Sequence, residues 1–336
     1  MPQTLTLPLS VVALLGGVFL MWRGSGYAGD VLDRLRRRMG YPEAAGAAFM
    51  GLATATPEIS INISSVVFGW PDLGLGAALG SNTPALPLAI LLSFLAVRLA
   101  KKPPEVEDSL APTDAPRVKP AAVPLQFVPY LLVVLLLAAL TLPPQWEGLQ
   151  PVDAAILFAA WAVWVVLALR KHARGERVPG EPGGRTRLLL ALPLIAAGAV
   201  ASVWGGSKLG EAAGLPQIVT GLFLIGGLCA LPESISAWRF AKAGHATFGI
   251  SAAGADGIVS LTLALIPPAL IGAAVGDRSL FVLNLGFLAF VLVTYIAMNN
   301  PRFGERLGPV RTGVFVLGYL VYLGLTLWLL ANGAGK

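Results

Sequence analysis

The chain has 336 residues, of which 56% are hydrophobic and only 12% charged, with a net charge of +6 and a single cysteine, Cys229. A soluble domain carries roughly 25% charged residues, so the composition excludes a soluble globular protein and indicates a polytopic membrane protein. One cysteine excludes an internal disulfide, and the basic excess, which falls in loops between apolar spans, reflects topology and gives no reason to expect nucleic acid as a partner.

The N-terminal run MPQTLTLPLSVVALLGGVFLMW lacks a basic leader and is followed by RLRRR, so it reads as a retained first helix over 5–22. The second span, 44–67, contains GLATATPEISINIS, in which Pro57 and Glu58 interrupt a run of small and apolar residues. Proline has no N–H, so the carbonyl of Ala53 loses its helical donor. Thr54, Glu58 and Asn62 are four apart and share one helix face. The third span, 73–99, holds a glycine-rich break at GSNTP, with Ser81 and Asn82. The charged, Pro-rich segment that follows, within the loop 100–123, reads as a flexible linker.

Spans four and five cover 125–142 and 152–169, and a basic linker over 171–187 leads to span six at 188–204. The seventh, 218–238, repeats the pair as Pro232-Glu233 in GGLCALPESISAW, freeing the carbonyl of Leu228. Cys229, Glu233 and Ala237 share a face there, with Ser236 adjacent; Cys229 fits a packing residue better than a ligand. The eighth span, 246–274, has its glycine-rich break at GADG and carries Asp256, while 280–298 and 310–330 complete ten spans. His172 and His245 lie in predicted loops and suggest no chemistry.

The count passes an independent check. Of 24 Lys and Arg, 21 fall in the loops after odd-numbered spans, and only Lys208, Arg278 and Lys336 lie on the other side. By the positive-inside rule the basic side is cytoplasmic, which places both termini outside. Aligning the Pro-Glu pairs also matches Gly46 with Gly221 and Gly51 with Gly226. The chain therefore divides into a first repeat, 1–170, and a second, 188–336. Each has five spans, an odd number, so the copies are inverted, an arrangement found in secondary transporters with their sites at the repeat interface. The expected fold is all-α, with ten transmembrane helices in two inverted five-helix repeats.

Of 18 acidic residues, only Glu58, Glu233 and Asp256 fall well inside spans. A charge at the bilayer centre costs at least about 2.5 kcal/mol, so such residues mark function. A structural carboxyl competes with this reading more strongly at Asp256 than at the two glutamates. Carboxylates beside freed carbonyls, in a cavity of small residues, form a hard-oxygen cation site. The candidate ligands are Glu58 and Glu233, the carbonyls of Ala53 and Leu228, and Thr54, Asn62, Ser81, Asn82, Cys229, Ser236 and Asp256. Close helix packing is the alternative reading of the glycine-rich stretches.

With its Pro-Glu motifs in spans two and seven and GAALGSN in span three, the chain resembles the cation/calcium exchanger superfamily, as a divergent member. The resemblance implies that Glu58 and Glu233 bind cation and counter-ion alternately and that the Thr54 carbonyl contributes. It also implies that spans one and six slide past a core of spans two, three, seven and eight. Ala55, Ala230 and Ala77 stand where relatives carry Ser, Ser and Asn, so several side-chain oxygens of the sodium sites are missing. The expectation is a membrane antiporter exchanging Ca2+ or a similar cation for Na+ or H+. A passive channel, or a degenerate member with changed substrate, is the alternative. An enzyme is not expected, because no nucleophile or His-rich cluster accompanies the glutamates. No cofactor is expected beyond cations in transit. The expected partners are the lipid bilayer and inorganic cations, the expected location is a prokaryotic plasma membrane, and a monomer suffices.

Overall fold

A computed structural model describes residues 3–39, 43–100, 115–143, 145, 148–170, 184–299 and 306–333. In chain order the helices are α1 (Gln3–Arg38), α2 (Glu43–Thr54), α3 (Thr56–Val67), α4 (Pro71–Arg98), α5 (Val128–Thr141) and α6 (Pro151–Arg170). The second half contributes α7 (Gly184–Ala212), α8 (Gln217–Thr220), α9 (Gly227–Lys242), α10 (Ala246–Ser260), α11 (Ile266–Leu270), α12 (Arg278–Met298) and α13 (Pro309–Ala331). A π-helical turn, Val123–Phe127, leads into α5, and another, Gly221–Gly226, joins α8 to α9. No strand occurs among the described residues, only two isolated bridges.

Among the described residues, nine helical segments are long and apolar enough to cross a membrane. The tenth crossing is α2 and α3 set end to end, each of 12 residues. Apolar side chains such as Val12, Phe19, Leu317 and Leu320 point outward from α1 and α13, where lipid tails lie around an integral membrane protein. The fold is thus the expected all-α bundle of inverted halves.

The breaks fall in different places from those the sequence suggests. The second crossing is interrupted at Ala55, whose carbonyl still accepts from Ile59 N–H at 3.1 Å. The interruption is confined to one residue because Pro57 sits in the first turn of α3, where a missing N–H costs nothing. GSNTP does not break its helix: α4 runs unbroken through Pro84, and the Thr83 hydroxyl approaches the orphaned Gly80 carbonyl at 3.5 Å. The eighth crossing breaks after Ser260, beyond GADG, where a turn and a short 3-10 segment precede α11.

Two crossings also outrun their predicted ends. α1 continues to Arg38, and its charged last turns stay helical because Arg36 donates to Asp33 at 2.8 and 2.9 Å. α7 begins at Gly184 and pairs Arg187 with Asp30 of α1. The two run antiparallel and in close contact: a Cβ on Gly17 would lie 2.4 Å from Ser202 Oγ, and one on Gly205 2.5 Å from the Ser10 carbonyl oxygen.

The repeats join by backbone contact at two seams related by the inverted symmetry. A Cβ on Gly51 of α2 would come within 2.6 Å of the Ala255 backbone in α10. In the mirrored seam, a Cβ on Gly80 of α4 would come 2.1 Å from the Leu222 carbonyl oxygen in the π-helical turn. Of the predicted flexible loop, 101–114 lies outside the described residues. Its far end is fixed: Val118 is fully buried, Lys119 N–H donates to Thr247 Oγ1 at 3.1 Å, and Leu307 N–H donates to the Pro116 carbonyl at 2.9 Å. Most of the linker before the second half, 171–183, also lies outside the described residues.

Candidate cation site

The two seams bring the motif helices together. Glu58 enters on the first turn of α3, Glu233 on α9 and Asp256 on α10, and one carboxylate oxygen from each lies within 4.8 Å of the others. All three are buried, at 1%, 7% and 1% exposure. Glu58 Oε2, both oxygens of Glu233 and Asp256 Oδ1 have no protein hydrogen-bond partner. Three like charges this close, away from water and with most of their oxygens lacking a donor, are costly. Positive charge from outside the chain relieves them, and oxygen clusters of this kind suit hard cations or protons.

The other predicted residues divide into those near this cluster and those directed elsewhere. The Ser260 hydroxyl donates to Asp256 at 3.3 Å, and Thr54 lies beside the same carboxylate. Ser81 lies beside Glu58, its hydroxyl donating to the Ala78 carbonyl at 3.2 Å. Cys229, one turn before Glu233, and Ser236, just after it, line the same cavity as Glu233.

The predicted Ala53 carbonyl already accepts from the Thr56 hydroxyl at 2.6 Å, which replaces the N–H that Pro57 lacks. At Leu228 α9 is continuous through Pro232, so the carbonyl loses its donor without a break in the helix, and the Leu228 side chain packs against the apolar cluster of Leu14, Met21 and Ile61. Asn62 is fully buried, and its Oδ1 has no hydrogen-bond partner. Its Nδ2 donates to the Glu58 carbonyl at 3.0 Å, and its Oδ1 faces Gly74 at the start of α4. Asn82 is engaged by a residue that the sequence motifs do not single out: Tyr130 Oη donates to Asn82 Oδ1 at 2.6 Å. A phenol inside the otherwise aliphatic run of α5 is the signal that could have identified it, because a buried Tyr hydroxyl requires a partner.

A cavity of about 500 Å³ leads to the cluster from the end of the bundle that holds the α1–α2 and α9–α10 connections. Thr54, Pro57, Cys229, Pro232 and Glu233 form its inner wall, while Asp33, Arg36 and His245 stand toward its outer end. One face of α1, from Val18 to Arg36, forms the opposite wall, and a first span ending at residue 22 would supply only part of it. Because Cys229 is the only cysteine in the chain, a membrane-impermeant methanethiosulfonate reagent applied from this end is expected to label the protein once. Cys229→Ser should abolish labelling. Labelling only from the opposite end would show that the cavity has been assigned to the wrong side.

A profile of the family described as "Sodium/calcium exchanger protein" matches residues 9–170 and 186–328. The proposed antiporter CaxA of Alkalimonas amylolytica is 23% identical, with 93% of this chain and 97% of that protein covered. Structures of the sodium-calcium exchanger NCX_Mj share the fold. Soaked with 2.5 mM Na+ and 10 mM Sr2+, NCX_Mj superposes with a TM-score of 0.62 at 18% identity, covering 95% of this chain and 99% of that one. Soaked with zero Na+ and Ca2+, it gives 0.58 at 17% identity, again covering 95% and 99%.

Proposed function

The chain belongs to the sodium/calcium exchanger protein family, and we propose that it is a secondary active antiporter exchanging Ca2+ or a similar cation for Na+ or H+. The observation that carries this reading is the convergence of Glu58, Glu233 and Asp256 from both repeats into one buried cluster, four of whose six carboxylate oxygens lack a protein hydrogen-bond partner. Three carboxylates over-compensate a divalent ion, which leaves room for a shared proton, or they hold monovalent ions in its place. Substrate and counter-ion then compete for the same oxygens, the property that turns a binding site into an exchanger.

Access alternates if α1 and α7 move together against the helices that carry the carboxylates. Their glycine contacts and the Asp30–Arg187 ion pair support treating them as one body. The cavity ends at the basic side of the bundle, which the charge distribution makes cytoplasmic. Both termini are then outside, in a prokaryotic plasma membrane.

The test is ⁴⁵Ca²⁺ uptake into proteoliposomes, with Na+ and pH gradients imposed separately. An exchanger accumulates Ca2+ against its gradient only when one of these is present. Conduction without counter-ion dependence would identify a channel, and absence of flux with alkali, alkaline-earth and proton gradients alike would identify a non-transporting member.

A further inference from the structure

Near the cluster, Tyr130 and Asn82 form a buried side-chain pair joining α5 to α4. Asn82 is 2% exposed; one side of its carboxamide faces the Ala78 carbonyl at 2.7 Å and the other meets the Tyr130 hydroxyl at 2.6 Å. A carbonyl only accepts, so the atom facing Ala78 is Nδ2, and Oδ1 is left as the acceptor of the phenol proton. Space for the phenol comes from the residue next to Asp256. A Cβ on Gly257 would lie 2.2 Å from Tyr130 Cζ and 2.4 Å from Oη, so any larger residue would push the ring aside. Tyr130 therefore lies against the backbone that carries one of the three carboxylates, and its charge environment includes Asp256 and Glu233.

Asn82 Oδ1 is a neutral side-chain oxygen one hydrogen bond away from the phenol that lies against Gly257, the chain neighbour of Asp256. A metal ion needs several oxygen ligands, and for a monovalent ion, which needs little countercharge, neutral oxygens make up more of them, whereas a proton needs only one carboxylate oxygen. Resting on the antiporter reading above, we propose that Tyr130 is a specificity-determining residue that withholds the Asn82 oxygen from the cation site and thereby disfavours Na+ as substrate or counter-ion. A cation approaching Oδ1 must first displace the phenol proton directed at it. Tyr130→Phe leaves the ring in the Gly257 notch and removes only that proton donor.

The experiment compares Na+-driven with pH-driven ⁴⁵Ca²⁺ uptake in proteoliposomes of wild type, Y130F, N82A and Y130F/N82A. In Y130F the Na+/pH ratio is expected to rise about fivefold, the scale of one net hydrogen bond. The double variant is expected to return to the wild-type ratio, and N82A alone to remain there. An unchanged ratio in Y130F overturns the proposal, as does a rise that persists in the double variant. A lowered ratio in N82A would place Asn82 among the ligands and also overturn it. Loss of both fluxes in a Y130F protein that still unfolds cooperatively would make the phenol itself a ligand, which is incompatible with the proposal too. A second readout needs no transport: Na+ should protect purified Y130F from thermal unfolding more than it protects wild type. If wild type exchanges no Ca2+ under either gradient, the antiporter reading fails, and the Na+ protection comparison still decides the role of Tyr130.

Discussion

Glu58→Gln and Glu233→Gln are each expected to reduce counter-ion-driven Ca2+ uptake at least a hundredfold while making the cation-free protein more stable. The first effect follows from removing one of the charges that hold the ion: breaking a buried charge pair costs roughly 3–5 kcal/mol, and about 1.4 kcal/mol is a factor of ten. The second follows from the resting site, where three carboxylates lie within 4.8 Å of one another with oxygens unpartnered. Replacing one with a neutral amide relieves repulsion and a buried charge, by about 1–3 kcal/mol. Uptake in proteoliposomes, together with thermal unfolding in chelator, measures both. A variant that loses transport and stability together would mark that carboxylate as structural, and one that retains transport would remove it from the site. The opposing signs express a site selected for function at the expense of stability.

Gly80→Ala is expected to destabilise the protein by more than about 3 kcal/mol, beyond the range usual for overpacking. The added methyl would meet the Leu222 carbonyl oxygen at 2.1 Å and two further backbone atoms of the same residue at 2.6 Å. Backbone cannot rotate away as a side-chain tip can, so α4 would have to separate from the π-helical turn. That displacement would move the seam holding Ser81 and the approach of α4 to Glu58. Gly286→Ala is the matched control, since nothing lies within 4 Å of its Cβ position, and its effect should stay within about 1 kcal/mol. Detergent-solubilised unfolding temperatures of the two variants give the comparison; equal shifts would mean that the seam is not tightly closed.

Much of this architecture could be read from the sequence because membrane insertion leaves few options. Backbone groups in hydrocarbon must be satisfied within helices, so the apolar runs and the side-to-side bias of Lys and Arg were enough to find all ten crossings. The acidic residues inside spans were equally legible, since each is expensive there, and Glu58, Glu233 and Asp256 do converge. Local irregularity was harder to place. Proline predicts a missing hydrogen bond, but not whether the chain bends or a hydroxyl fills the gap. At Ala53 the neighbouring Thr56 fills it. Through Pro232 the helix stays straight enough to remain continuous. The glycines of GSNTP suggested a break and instead allow an intact α4 to approach the other repeat. The partner of Asn82 was beyond reach for another reason: Tyr130 is 48 positions away, and only the assembled bundle brings the two together.

The two motif helices, copies of one pattern, differ in mechanical character. The crossing that carries Glu58 is articulated at Ala55, whereas the one that carries Glu233 is a continuous beam from Gly227 to Lys242. The cavity wall includes Glu233, on the rigid arm, while Glu58 lies deeper, on the jointed one. On the antiporter reading, an ion arriving from this end meets the continuous helix before the interrupted one. On that reading the two helices meet the ion in a set order, and a mirrored pair of sequences yields a site with a defined front and back.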